Sequence, residues 1–199
     1  MWVAIILDCL LSFVAVCNFL ENRTPSNPAL SSEDVDSREI YQVVISESLL
    51  LEMVEKSKAK LPNETGGVIV GKYDRHKVFI KAISDQGPNA LATPVSFLRD
   101  GVYSQQFLID KTMEDPSVLY VGEWHSHPSE QESPSQKDIK GMIEIANSPD
   151  YRTSHPILVV VAIAEEKTLI TFTCIAPDGR VWFVDICDRE KCLFPGGKK

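Results

Sequence analysis

The sequence predicts an α/β domain whose mixed, mostly antiparallel sheet is flanked by helices. Three observations carry that expectation. Short β-rich runs recur along the chain, several of them separated by turn-sized links such as Asp74-Arg75-His76 and Pro177-Asp178-Gly179, which suit antiparallel neighbours. Apolar residues recur at helical spacing in only a few windows, two of them opened by a serine suited to an N-cap. The 199 residues are 44% hydrophobic and 24% charged, enough to bury one core without disulfides.

Residues 41–45 alternate like a short strand. Ser46 then reads as the cap of a helix to about Lys60, with Leu50, Met53, Val54 and Leu61 on one face, and Pro62-Asn63 ends it. Residues 65–73 and 77–84 form a predicted hairpin, and 95–98 a further strand. A second helix is expected from Gly101 to about Met113, broken by Asp115-Pro116, and an apolar strand over 118–124 that ends in His125. Ser135 caps a third predicted helix to Ala146, with Ile139, Met142, Ile143 and Ala146 facing the core. Three strands complete the domain, over 157–164, 168–176 and 181–186.

The ends differ from this middle. Residues 1–20 are apolar apart from Asp8, Ser12 and Asn18, and no basic residue precedes Arg23. A secretory signal places positive charge first, and an intramembrane carboxylate is costly. Membrane anchor, docked element and non-native leader from an upstream start therefore stay open as readings. Residues 21–38, with two prolines and four serines, read as a polar linker; 39–190 is the expected domain and 191–199 a tail. The net charge of -8 argues against broad nucleic-acid binding, which needs basic surface. The expected location is the cytoplasm, with membrane contact left open. Cys9, Cys17, Cys174, Cys187 and Cys192 are an odd, scattered set without a C-x-x-C, so neither a disulfide framework nor a zinc ribbon is expected. Cys174 reads as core, and Cys187 and Cys192 as either a closed pair or two thiols. His76 and His155 read as surface residues.

The chemistry concentrates in Glu123-Trp-His-Ser-His-Pro128 and Ser135-Gln-Lys-Asp138. On a strand, His125 and His127 share a side because side chains alternate. Asp138, in the first turn of the next helix, can join them as a third zinc ligand and leave a fourth position for water, the pattern of a catalytic site. Such a site needs a proton carrier. Glu64, in Asn63-Glu-Thr-Gly-Gly67 before a strand, is the first candidate. Glu123 is a rival or a support for a ligand. Gly66 and Gly67 permit close backbone approach.

Glu64, His125-Ser-His127, ten intervening residues and Asp138 with Ser135 three before it resemble the JAMM motif of JAB/MPN-domain metalloproteases. The resemblance covers roughly residues 40–175 and implies a cytidine-deaminase-like fold. It implies zinc on His125, His127 and Asp138, Glu64 as general acid/base, and Ser135 as a donor to the oxyanion. It also implies hydrolysis of isopeptide bonds between a ubiquitin-like protein's C-terminus and a lysine. Glu64-Thr-Gly-Gly67 and Gly122-Glu-Trp-His-Ser-His-Pro128 are most similar to the deconjugating proteases of bacterial CBASS antiphage operons. In those operons the conjugated partner is a cyclic-nucleotide synthase (CD-NTase), and E1- and E2-like transfer enzymes are neighbours. The alternatives are a processing peptidase for a ubiquitin-like or sulfur-carrier precursor, phage-tail peptide cleavage, and a non-catalytic MPN scaffold.

Overall fold

Ser46 turns the chain from an extended strand into a helix, its Oγ accepting from the Leu49 amide at 3.3 Å. That start leads into a sheet wrapped by three helices in a computed structural model that describes residues 39–165 and 167–187. The apolar leader over 1–20, the linker over 21–38 and the tail over 191–199, with Cys9, Cys17 and Cys192, lie outside the described residues.

In chain order the elements are β1 (Gln42–Val44), α1 (Glu47–Lys60), β2 (Gly66–Asp74), β3 (Lys77–Ile83), β4 (Leu91–Thr93) and β5 (Ser96–Leu98). They continue as α2 (Gly101–Glu114), β6 (Leu119–His127), α3 (Gln136–Asn147), β7 (Ile157–Ile163), β8 (Thr168–Ile175), β9 (Val181–Phe183) and β10 (Asp185–Ile186). The main sheet runs β10-β1-β3-β2-β6-β7-β8-β9, with β4-β5 a separate hairpin. Four of its pairings are antiparallel and three, β1 with β10, β1 with β3 and β6 with β7, are parallel. The sheet is thus mixed and mostly antiparallel, as expected.

Alternation along the strands divides the core between two faces. Ile69, Val121, Trp124, Ile157, Val159 and Val161 pack with Met53 of α1. Val68, Val70 and Tyr120 pack with Leu108 of α2. Leu158 and Ile175 pack with Met142 of α3. One helix therefore covers one face and two the other. Fully burying a side chain such as Met53, at 0% exposure, contributes roughly 1.5–3 kcal/mol. Among the described residues, no helix is long and apolar enough to cross a membrane.

Several expectations are corrected. The single strand over 181–186 is two. β9 pairs with β8, whereas β10 pairs with β1 at the opposite end of the sheet order. Val184 between them donates its amide to the Phe172 carbonyl at 2.9 Å. The strand over 95–98 is the return half of a hairpin whose first half, Leu91–Thr93, was not expected; Pro94 masks its period. The strand of residues 118–124 continues through His127. Leu61 is 45% exposed, because it is the C-cap and no longer follows the helical face. His155 is buried, 6.0 Å ring to ring from Trp182 of β9, 27 residues on in the sequence.

Candidate metal centre

His125 and His127 stand at the end of β6, between β2 and β7. Their orientation depends on a bulge. Opposite Ile69 and Val70 of β2, the β6 partners are Gly122 and Tyr120, which leaves Val121 as an extra residue. A bulge resets the alternation. Val121 and Trp124 enter the α1-side core, while Tyr120 packs on the α2 side. Glu123, His125 and His127 alternate with Trp124 and so share the face opposite α1. Gly122 makes the bulge possible: its φ is +156°, and a Cβ there would lie 1.8 Å from the Ile157 carbonyl oxygen.

The third residue arrives by a local device. Ser135 caps α3, its Oγ accepting from the Asp138 amide at 3.2 Å while the Ser135 amide donates to Asp138 Oδ2 at 2.7 Å. This reciprocal box holds the carboxylate at the helix start. Asp138 Oδ2 lies 3.5 Å from His125 Nε2 and 3.8 Å from His127 Nε2, and the two ring nitrogens are 3.0 Å apart. These separations bracket the edge of a tetrahedron, about 3.4 Å for metal–ligand bonds of about 2.0–2.1 Å. His127 Nδ1 lies 2.8 Å from the Gln131 carbonyl. That contact requires the proton on Nδ1 and leaves Nε2 with its lone pair for a metal. Two buried nitrogens and a carboxylate oxygen, all within 4.8 Å of one another, are a donor set that fits zinc.

The electrostatics of the cluster follow from this geometry. Burial pushes the Asp138 carboxyl up, but hydrogen bonds from His125 and His127 outweigh it and hold the group well below the usual carboxylate range. Burial pushes His127 down, and its bonds to Asp138 and the Gln131 carbonyl outweigh that and raise it. Glu64 is half-buried, and burial raises its pKa against the opposing pull of the His125 and His127 imidazoles. A raised carboxylate beside a metal-binding set is a suitable proton carrier.

Glu64 is placed by backbone. Its amide donates to the Thr93 carbonyl of β4 at 2.9 Å. The next residue, Thr65, donates its amide to Ser126 Oγ at 3.0 Å and accepts from the Ser126 amide at 2.7 Å. Ser126, between the two histidines, therefore faces away from them and ties their strand to the Glu64 loop. Gly66 stands opposite His125, where a Cβ would fall 2.2 Å from the Trp124 carbonyl oxygen and 2.9 Å from His125 Cα. Gly66→Ala is expected to cost roughly 1–3 kcal/mol, the range for overpacking against unyielding neighbours. Thermal unfolding would register the loss; an unchanged midpoint would mean the strands part at no cost.

Glu123, the rival candidate for the base, is engaged in an ion pair. Its Oε1 accepts from Arg99 Nε at 3.0 Å and lies 2.9 Å from Arg99 Nη2, with the Tyr120 hydroxyl at 3.4 Å. Arg99 was missed in the sequence because it lies 24 residues from its partner. Ser126 was legible in principle, since the middle residue of a strand triplet must point to the other side. Cys174 is buried, and burial pushes its thiol up to about 12, so it is not a nucleophile near neutral pH.

Residues 46–175 match the family described as prokaryotic homologs of the JAB domain. A protein of Enterobacter hormaechei subsp. hoffmannii named CD-NTase/cGAS isopeptidase is 32% identical over 124 residues, 61% of this chain and 68% of that one. An Escherichia coli protein of the same name is 26% identical over 110 residues, 55% of this chain and 70% of that one. The solution structure of a Desulfitobacterium hafniense protein shares the fold, with a TM-score of 0.56 at 20% identity over 73% of this chain and 91% of that one.

Proposed function

The chain belongs to the prokaryotic JAB-domain family, and from that premise we propose that it is a zinc-dependent isopeptidase. Its proposed substrate is the bond between the C-terminal tail of a CD-NTase, or of a ubiquitin-like protein, and a target lysine. The relatives' names support a CD-NTase as the conjugated partner. On this reading it deconjugates the synthase and so regulates bacterial antiphage signalling, beside E1- and E2-like enzymes that make the conjugate. The observation that carries the reading is the convergence of His125 Nε2, His127 Nε2 and Asp138 Oδ2, with the half-buried Glu64 close enough to feel the charge of all three.

His125, His127 and Asp138 would hold the zinc, which when bound supplies a Lewis acid and lowers the pKa of a water to about 7. Glu64 accepts a proton from the attacking water as its oxygen bonds to the carbonyl carbon. It then delivers that proton to the lysine Nζ as the C–N bond breaks, because an unprotonated amine leaves poorly. The products are a free carboxylate tail and an intact lysine. Ser135 stabilises the carbonyl oxygen as charge develops, a role worth a few kcal/mol for one placed donor. Its Oγ accepts from the Asp138 amide, yet a serine hydroxyl carries one proton besides its two lone pairs. Capping and oxyanion binding are therefore compatible in one state.

The test is incubation of the purified protein with a CD-NTase–lysine conjugate and mass analysis of the products. The expected result is release of both partners intact, loss of cleavage with zinc chelators and indifference to iodoacetamide. A trapped covalent intermediate, or alkylation that stops cleavage with zinc retained, would overturn the proposal.

A further inference from the structure

We propose that Arg99 is a positioning residue for Glu64, an inference that rests on the functional reading above. Arg99 lies between β5 and Asp100, the N-cap of α2. Besides its two contacts to Glu123, its Nη2 donates to the Tyr151 hydroxyl at 3.4 Å, and Tyr151 meets Tyr120 edge-on at 4.9 Å. The side chains of Arg99 and Glu123 are only 14% and 23% exposed. A sheltered pair of this kind is costly to break from one side, because it leaves a charge in poor solvent.

The pair joins two supports. Glu123 is two residues before His125 on the strand that carries the histidines. In the other direction, Arg99 directly follows β5, and β5 pairs with β4 through Thr93 opposite Ser96. The Thr93 carbonyl holds the Glu64 amide. Glu64 is thus hung from the hairpin, the histidines stand on β6, and the Arg99–Glu123 pair links hairpin to strand. The Thr65–Ser126 bonds fix the backbone one residue further on. On the other side the Asn63 amide donates to the Lys60 carbonyl at 2.9 Å, and between these two anchors the Glu64 amide is held by the Thr93 carbonyl. A proton carrier misplaced by about 1 Å can cost on the order of 100-fold in rate.

Arg99→Met removes the guanidinium and keeps much of the stem. It is expected to lower kcat by up to about 100-fold, with KM changed by only a few fold. Zinc content and the visible spectrum of the cobalt-substituted protein should stay as in the parent. Hydrogen exchange at the Glu64 amide should speed up while exchange at the Ser126 amide does not. In a Glu64→Gln background the further loss should vanish, since residues acting through one group are not additive. Arg99→Lys should fall between, retaining charge without the forked geometry. If Arg99→Met is insoluble, Arg99→Met/Glu123→Gln carries the same test with no stranded charge. Unchanged Glu64 amide exchange, additive rate losses or a shifted cobalt spectrum would each overturn the proposal. Should the parent protein cleave no conjugate, the isopeptidase reading fails, and the exchange measurement still decides whether Arg99 positions Glu64.

Discussion

Glu64→Gln is expected to leave the protein folded and loaded with metal while lowering turnover by roughly 100-fold or more, the loss typical of removing general acid–base catalysis. The reason is separability. Glu64 is not among the three donors that converge within 4.8 Å, and its backbone is held by the Thr93 carbonyl rather than by its side chain. Glutamine keeps the size and loses the capacity to carry a proton. Elemental analysis and thermal unfolding should match the parent, and single-turnover cleavage should not. Glu123→Gln is the informative contrast. It weakens a sheltered ion pair and should lower the unfolding midpoint. Full cleavage by Glu64→Gln together with a dead Glu123→Gln would reverse the assignment of the base.

Asp138→Ala should differ in kind. It removes the proposed metal donor and the acceptor for the Ser135 amide in the same step. Bound zinc is expected to fall from about one per chain to near zero after dialysis against a weak chelator, and cleavage should fall below detection. A loss of roughly 0.5–2 kcal/mol in stability from the broken cap should accompany it. Asp138→Asn separates the two effects, because an amide oxygen still accepts from the Ser135 amide while the anionic donor is gone. The expected result is a near-parental unfolding midpoint in the metal-free state with weakened zinc binding. Tight zinc binding by Asp138→Ala would exclude Asp138 as a ligand.

The parts of this protein that a reader of the sequence can recover are those decided within a few residues. Ser46 and Ser135 cap their helices because each hydroxyl reaches an amide three positions on, and that reach does not depend on the rest of the molecule. Asp138 completes its box on the same scale. The spacing of His125 and His127 gives a common side on any strand. What the spacing does not contain is which side. That was decided by the bulge at Val121, which exists only because β6 lies against β2 in a particular register. A strand paired without the bulge would turn both histidines away from the face that Tyr120 shares with α2.

Longer-range partnerships were illegible for the same reason. Glu123 reads as a free carboxylate next to histidines, and only packing that brings Arg99 across 24 residues makes it half of an ion pair. Residues 181–186 read as one strand because each half has strand composition. Pairing decides otherwise, since β9 finds β8 and β10 finds β1 at the far end of the sheet order. The sequence by itself determined most of the element types, the serine caps of α1 and α3 and the residue types of the candidate metal donors, all set by steric and hydrogen-bond rules that act over one turn or one pleat. The tertiary structure alone decided the face on which the histidines stand, the partner of Glu123 and the split of the last strand, because each depends on contacts between segments whose separation along the chain carries no local signal.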